Sequence, residues 1–288
     1  MDEVPEIAID ALIDRYDVLL IDAYGVLVTS SGALPGAAEL TKRLSESGKA
    51  YYILTNDASR LPSTAAARYR ACGLMIDPDR VITSGLLLKD HFAARRLVGA
   101  RCVVLGPADS RRYVEDAGGL VVAASDAFDV LVIADESGFP FLETVDATLS
   151  ALVRAIDRRR EVHLVLANPD LIYPSGQGFA IGSGSIALIL EAALRVRYPG
   201  RTDLRFVRLG KPHAAMFAEA LRRSGTRNMI VIGDQLETDV VGARAFSLDS
   251  ALVDSGVTRA SSTPTPPRLR PTYLLHSLYP GPGPSKRV

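Results

Sequence analysis

The chain has 288 residues, of which 48% are hydrophobic, and its 33 Lys and Arg side chains balance its 33 Asp and Glu side chains. This composition excludes disorder over most of the chain, and the balanced charge gives no reason to expect a nucleic acid or an anionic membrane as partner. No stretch reaches the roughly 20 apolar residues of a membrane-spanning helix. Cys72 and Cys102 are too few for a disulfide framework, and the acidic start of the chain does not resemble a secretory signal. We therefore expect a soluble, cytoplasmic protein.

Short apolar runs alternate with longer helix-patterned segments along the chain. This alternation is typical of βαβ units around a parallel sheet. The predicted strands are 18–21, 51–54, 102–105, 130–133, 162–166, 206–209 and 229–232. The predicted helices between them are 37–47, 63–72, 144–158, 185–197 and 214–224. The pattern predicts an α/β fold with a doubly wound parallel-sheet core.

Polar residues directly follow several of the predicted strands. Asp22 follows the first strand, Thr55 and Asn56 follow the second, and Asp234 follows the last. Because ligands of open α/β sheets bind at the carboxyl ends of the strands, we expect these side chains to converge on one crevice. Gly25 allows a sharp turn that directs the Asp22 carboxylate into that crevice. One Asp at a strand end most often caps a turn, so the interpretation depends on the whole set.

Two further residues complete a phosphoryl-transfer set. Lys211 follows a later strand in the run RLGKPH, and Asp239 lies five residues after Asp234. A carboxylate that attacks a dianionic phosphate meets like-charge repulsion, which Lys211 and a bound Mg²⁺ would offset. Carboxylates and a backbone carbonyl suit Mg²⁺, and Asp22, Asp234 and the carbonyl of Tyr24 could supply them.

The middle of the chain carries its own strands and helices, but we see none of these polar strand ends there. We therefore predict an inserted α/β cap domain at residues 84–182. It divides the core domain into residues 1–83 and 183–262. A Pro-rich segment follows at residues 263–288, and we expect its last eight or so residues to be disordered.

The order of the motifs resembles a known family. DAYGVL, ILTND, LGKPH and GDQLETDVVGA resemble, in this order, the four motifs of the haloacid dehalogenase superfamily of aspartyl-phosphate hydrolases. ITSG and LANPDLIYPSGQGFAIGSGSI further resemble the branch with a type C2 α/β cap, which includes phosphoglycolate, p-nitrophenyl phosphate and sugar phosphate phosphatases. The resemblance spans residues 17 to about 256. It implies a small phosphorylated metabolite as substrate and, as in relatives that dimerise through this cap, a homodimer.

The resemblance also implies a role for each matching residue of the core. Asp22 is the expected nucleophile and a Mg²⁺ ligand, together with the backbone carbonyl of Tyr24. Thr55 and Asn56 are expected to bind the phosphate, and Lys211 is expected to stabilise its charge.

Two further pairs of residues take their roles from the same resemblance. Asp234 is expected to ligate the metal, with Asp239 as an acidic support of the metal site. Asp170 and Tyr173 lie where this branch places its substrate-specificity loop. For Tyr173, simple packing is an equally open interpretation.

Position 24 departs from the pattern of the superfamily. Its phosphatases carry a second Asp two residues after the nucleophile, which acts first as acid and then as base, and here that residue is Tyr24. General acid–base catalysis contributes about 10²- to 10⁴-fold, so the replacement matters. A phenol can donate a proton but is a poor base near neutral pH.

Three interpretations of this departure remain open. The first and favoured one is a slow or specialised Mg²⁺-dependent phosphohydrolase for substrates whose leaving group needs little protonation. The second is a phosphoryl-transfer or C–P-cleaving reaction, for which Lys89 would be the Schiff-base lysine. The third is a non-catalytic protein that binds a phosphorylated ligand.

Overall fold

Two parallel β-sheets organise the chain, and the computed structural model describes residues 4–175, 178–253, 257 and 266–281. The strands, in chain order, are β1 (Val18–Ile21), β2 (Val28–Thr29), β3 (Gly32–Ala33), β4 (Ala50–Thr55), β5 (Val81–Thr83), β6 (Arg101–Leu105), β7 (Leu120–Val121), β8 (Val130–Ile133), β9 (His163–Leu166), β10 (Ile172–Ser175), β11 (Gly178–Ile181), β12 (Val207–Arg208), β13 (Met229–Gly233), β14 (Asp249–Val253) and β15 (Tyr273–Leu275). The α-helices are α1 (Ile9–Arg15), α2 (Ala37–Glu46), α3 (Pro62–Ala71), α4 (Leu87–Arg95), α5 (Ala108–Asp116), α6 (Phe141–Asp157), α7 (Ser183–Arg197), α8 (Ala214–Ser224) and α9 (Val241–Ala245).

The core sheet has six strands in the order β15-β14-β13-β1-β4-β5, and its strand pairs are parallel. All four residues of β1 are buried, as expected for the central strand of a sheet that helices cover on both faces. Leu19 and Ile21 pack with α1, α2 and α3 on one face, whereas Val18 and Leu20 pack with α8 and α9 on the other. β1 is therefore buried on both faces and pairs with β13 on one side and β4 on the other.

The second sheet has five parallel strands in the order β12-β9-β8-β6-β7. One face packs against α6 and α7. The other face packs against α4 and α5, and this layer also contacts the core sheet, because Leu20, Phe92 and Val132 belong to one buried apolar cluster. The two sheets thus share a layer of helices, which fixes where their strand ends meet. The predicted α/β fold class is confirmed.

The second sheet extends beyond the predicted end of the insertion at residue 182. Ile186 and Leu190 of α7 pack with Leu131 of β8, and β12 pairs with β9. We therefore propose that the inserted unit continues to Arg208, the end of β12. The sequence shows that α7 has an apolar face, but it does not show which of the two sheets this face covers, so the boundary could not be predicted from it.

The predicted Pro-rich tail contributes a strand to the core sheet. β15 pairs with β14 in parallel, with Leu274 opposite Leu252. The predicted disorder at the end of the chain falls largely on residues 282–288, which lie outside the described part of the structure. Within the described residues, no helix combines the length and apolar character that crossing a bilayer requires.

Candidate active site

Three polar residues predicted from the strand ends lie at the same edge of the core sheet. Asp22 follows β1, Thr55 ends β4 and Asp234 follows β13, and β1 pairs with both of the other strands. The backbone N–H of Asp22 donates to the carbonyl of Ile232 at 2.9 Å, which continues the sheet into the loop. The structure therefore brings these side chains to one crevice.

Lys211 connects two of the acidic side chains. Its Nζ lies 2.8 Å from Oδ1 of Asp22 and 2.8 Å from Oδ1 of Asp239. Burial alone would lower the pKa of Lys211, but the charges of Asp22 and Asp239 outweigh burial and hold that pKa above its ordinary value. Lys211 is only 2% exposed, so its ammonium is a fixed positive charge beside Asp22.

The two carboxylates that Lys211 contacts belong to a cluster of three buried ones. Carboxylate oxygens of Asp22, Asp234 and Asp239 all lie within 4.8 Å of one another. Burial, followed by the charge of Asp239, raises the pKa of Asp234 to about 7. Burial also raises the pKa of Asp22, although Lys211 opposes this effect. Three carboxyl groups thus share one ammonium group, and burial together with their mutual repulsion disfavours ionising all three without a further positive charge.

The cluster fits a divalent cation. Oδ2 of Asp234 accepts a hydrogen bond from the Val257 N–H at 2.7 Å, whereas its buried Oδ1 has no hydrogen-bond partner among the described residues. An orphaned buried carboxylate oxygen among excess negative charges is the environment that a hard cation with oxygen ligands stabilises. Asp239 differs, because Lys211 and the Gln235 N–H, at 3.2 Å, engage its two oxygens. Both carboxylate oxygens of Asp239 therefore already have partners, one of which is the Lys211 ammonium group.

Gly25 makes room for the Asp234 carboxylate. Its φ is +84°, and a Cβ at this position would overlap the carboxylate group of Asp234. The glycine predicted from sequence to allow a turn is therefore also required for close approach.

Replacing Gly25 by Ala should displace Asp234 and weaken metal binding about 10- to 100-fold. The measurement is the rise in unfolding temperature on Mg²⁺ titration. Gly48→Ala is the matched control, because Gly48 has φ +67° and its added Cβ would meet no atom of the described residues within 4 Å. Both variants share the cost of a positive φ, about 1–2 kcal/mol. Equal Mg²⁺ responses of the two variants would show that the Asp234 position does not depend on Gly25.

The side-chain amide of Asn56 binds both Lys211 and Asp170. Its Oδ1 accepts from the Lys211 N–H at 2.7 Å, and its Nδ2 donates to the Lys211 carbonyl at 3.1 Å and to Oδ1 of Asp170 at 2.8 Å. The hydroxyl of Thr55 accepts from the Asp57 N–H at 3.2 Å and keeps its own proton to donate. Both residues line the crevice, but Asn56 is already engaged in positioning Lys211 and Asp170.

A cavity of about 180 Å³ lies above these residues, with walls from both sheets. The predicted residues on its walls are Asp22, Tyr24, Thr55, Asn56, Asp170 and Tyr173. The lining residues that sequence reasoning missed are Asp57, Ser59, Arg60, Asp135, Glu136, Ser137, Asn168 and Gln235.

The expectation that the middle of the chain has no polar strand ends is wrong. One alanine after the end of β8 come Asp135, Glu136 and Ser137, and one alanine after the end of β9 comes Asn168. These strand ends line the same cavity as Asp22. The run VLVIADES carries the same strand-end pattern as the core motifs and could have revealed them.

Tyr24 lies on the cavity wall with its hydroxyl engaged. Its oxygen accepts a hydrogen bond from the Arg68 guanidinium, which also lies over the ring, 5.0 Å from the centroid. The ring meets Tyr173 edge-on, with centroids 6.2 Å apart. Tyr173 thus packs against Tyr24 and also lines the cavity, so both interpretations of Tyr173, packing and substrate contact, fit its position. Lys89, by contrast, is exposed on α4 and does not line the cavity.

Comparison with known proteins places this site in a family. Residues 19–119 match a family model described as haloacid dehalogenase-like hydrolase, and residues 208–280 match a second, HAD-hydrolase-like model. The structure of a possible sugar phosphatase of the HAD superfamily from Cytophaga hutchinsonii is 32% identical, with a TM-score of 0.81, over 97% of this chain and 100% of that chain. The chain belongs to the haloacid dehalogenase superfamily. This membership confirms the resemblance inferred from the motifs.

Several members of the superfamily that are similar to this chain are named phosphatases, and this chain is likewise a hydrolase. The dihydroxyacetone phosphatase of Corynebacterium glutamicum is 26% identical over 90% of this chain and 88% of that protein. A glycerol phosphate phosphatase from Mycobacterium tuberculosis, solved in complex with magnesium, is 27% identical with a TM-score of 0.75, over 93% of this chain and 76% of that chain.

Proposed function

We propose that this protein is a Mg²⁺-dependent phosphohydrolase that acts on a small phosphorylated sugar or polyol through an aspartyl-phosphate intermediate on Asp22. The observation that carries the proposal is the ion pair of Lys211 with Asp22 inside the cluster of three buried carboxylates. The names of the similar phosphatases support the substrate class.

Asp22 is the proposed nucleophile. Lys211 and the Ala23 N–H, at 2.8 Å and 2.7 Å, both hold Oδ1 of Asp22. We infer that Oδ2 attacks the phosphorus, while these contacts fix the orientation of the carboxylate. The bond between phosphorus and the leaving oxygen breaks as the bond to Oδ2 forms.

Charge on the phosphoryl oxygens is the main barrier to this attack. The buried ammonium of Lys211 lowers that barrier without needing to reorganise, and the Thr55 hydroxyl donates to a phosphoryl oxygen. Asp22, the Tyr24 carbonyl and Asp234 would hold Mg²⁺, which supplies positive charge against the transferred phosphoryl group. Asp239 keeps Lys211 in place rather than ligating the metal.

The two alternative functions that the sequence leaves open have less support. No lysine lines the cavity among the described residues, and Lys89 is exposed on α4, so a Schiff-base reaction has no lysine there. A pure phospho-ligand binder would not need a carboxylate aligned by an ion pair, and it remains an outcome of the test below.

Phosphate release from p-nitrophenyl phosphate and acetyl phosphate tests the proposal, because both leaving groups need little protonation. We expect turnover with Mg²⁺, loss of turnover with a chelator, and recovery when Mg²⁺ is restored. Folding is checked in the same samples by circular dichroism. A folded protein that releases no phosphate from either substrate, or that ignores the chelator, would contradict the proposal; the first result would favour the binder.

A further inference from the structure

Glu136 is a cavity-lining acid that the proposed chemistry has not used. It follows β8 of the second sheet and lines the same cavity as Asp22. The carboxyl group has a hydrogen bond with Tyr173, but its Oε2 is buried and has no hydrogen-bond partner, which holds for no other side-chain atom among the described residues on this cavity wall. We propose that Glu136 is the acid–base residue of the reaction: it protonates the leaving oxygen and then deprotonates the attacking water. This assignment rests on the proposed function.

The residue at position 24 leaves this role open. The Tyr24 hydroxyl accepts from Arg68, and the Tyr24 ring is held between Arg68 and Tyr173. The Arg68 guanidinium therefore already occupies the hydroxyl oxygen that would have to take the proton of the water. The superfamily chemistry therefore needs a second carboxyl group from another part of the cavity.

The other carboxylates on the cavity wall have defined partners. Oδ1 of Asp57 accepts from the Ser59 N–H at 2.7 Å, and Oδ2 pairs with Arg60 at 2.9 Å. Asp170 accepts from Asn56. A buried oxygen without a partner costs free energy, and in a substrate site such a cost persists where a ligand atom supplies the missing contact. Oε2 of Glu136 is such an atom.

Asp135, the acidic neighbour of Glu136, also has defined partners. Its Oδ1 accepts from the Ser137 N–H at 3.0 Å and from the Ser137 hydroxyl at 2.5 Å, so it is held in a turn of its own. Its carboxylate lies beside Glu136 in sequence and disfavours a second negative charge there. Asp135 is thus held by Ser137 and acts electrostatically on the neighbouring Glu136 carboxyl.

The charge environment lets Glu136 both give and take a proton. Burial, followed by the Asp135 charge, raises the pKa of Glu136 to about 7; hydrogen bonds with its own backbone N–H and with Tyr173 oppose the rise, and Asp57 adds to it. Arg60 lies on the same wall, paired with Asp57. Both protonation states are therefore populated near neutral pH, which is the condition for efficient acid–base catalysis.

The proton balance closes over the two steps. As Oδ2 of Asp22 binds phosphorus, the bond to the leaving oxygen breaks and the Glu136 carboxyl transfers its proton to that oxygen. A water then attacks phosphorus, the bond to Oδ2 breaks, and the Glu136 carboxylate takes the water proton. Inorganic phosphate and the alcohol are released, and Asp22 and Glu136 return to their initial states.

A pair of aryl phosphates that differ in leaving group tests the assignment. Phenyl phosphate needs a proton donor more than p-nitrophenyl phosphate does. In Glu136→Gln we expect kcat/KM to fall about 10²-fold or more for phenyl phosphate and less than about tenfold for p-nitrophenyl phosphate. Glu143→Gln, an exposed change on α6, is the matched control. The retained p-nitrophenyl phosphate reaction shows that the variant is folded.

The pH profile provides the second readout. Wild-type kcat/KM for phenyl phosphate should decline above about pH 7, because Glu136 loses its proton there, and Glu136→Gln should lack this decline. Equal losses on the two substrates, an unchanged profile, or a leaving-group-dependent loss in Tyr24→Phe but not in Glu136→Gln would overturn the assignment. If the wild type turns over but Glu136→Gln behaves like Glu143→Gln, this assignment alone fails. If the wild type releases no phosphate from either substrate, both the proposed function and the assignment of Glu136 are wrong.

Discussion

Replacing Asp22 by Asn is expected to lower kcat for p-nitrophenyl phosphate by at least about 10⁴-fold, as for other enzymes that lose their nucleophile. The amide has the same shape as the carboxylate but cannot form the phosphoryl bond. The fold should be preserved, because Asp22 is buried and its burial penalises the charged form. We expect the free energy of unfolding to stay the same or to rise, which is a typical exchange of stability for activity.

Asp14→Asn is the control for this variant. Asp14 undergoes the same chemical change at an exposed position of α1, and its activity should equal that of the wild type. Activity is measured by phosphate release and stability by urea unfolding of the same samples. If Asp22→Asn kept more than about a tenth of wild-type kcat, Asp22 would not be the nucleophile.

Lys211→Met should produce the largest loss of stability, about 3–5 kcal/mol, together with loss of activity. The change removes the ammonium that pairs with Asp22 and Asp239, and it leaves both carboxylates buried without that positive charge. Lys42→Met is the matched control, because the Lys42 pair with Glu46 is exposed and spans 3.9 Å. Removing such a surface pair costs about 0.3–0.5 kcal/mol.

The loss in Lys211→Met should depend on pH. Burial already raises the pKa of Asp22, and removing Lys211 raises it further. A carboxyl group whose pKa is raised in the folded state destabilises the fold increasingly as the pH rises from its ordinary pKa to the raised one, and protonation relieves this penalty as the pH falls. In urea unfolding with chelator present, the loss should be larger at about pH 8 than at about pH 5. A loss below about 1 kcal/mol, or one independent of pH, would contradict this account of the ion pairs.

The site residues of the core sheet could be predicted from the sequence, because the ends of the strands determine where these residues lie. A buried run followed at once by a polar residue places Asp22, Thr55 and Asp234 at one edge of a parallel sheet. Lys211 and Asp239 follow from their position in the ordered motifs, and the structure joins them by an ion pair. Local pattern and sheet geometry agree at these positions, so few alternatives exist.

The cap half could not be predicted to the same extent, because it depends on contacts between the two sheets. Nothing in the pattern of α7 distinguishes the sheet it covers, and β15 is too short to stand out from a Pro-rich segment. Glu136 follows a strand as Asp22 does, but its place on the shared cavity arises only when α4 and α5 bring the two sheets together. The cytoplasmic location, the homodimer and the specificity role of Tyr173 stay predictions.

Transfer of phosphoryl label to the protein tests the central claim most directly. The wild type is mixed with substrate carrying radiolabelled phosphate and Mg²⁺, quenched in acid during the first turnover, and digested for peptide mapping. We predict that acid-stable label is found on the peptide containing Asp22 and is absent from Asp22→Asn. Label on another residue, or turnover without any labelled protein at early quench times, would contradict a phosphoryl transfer through Asp22.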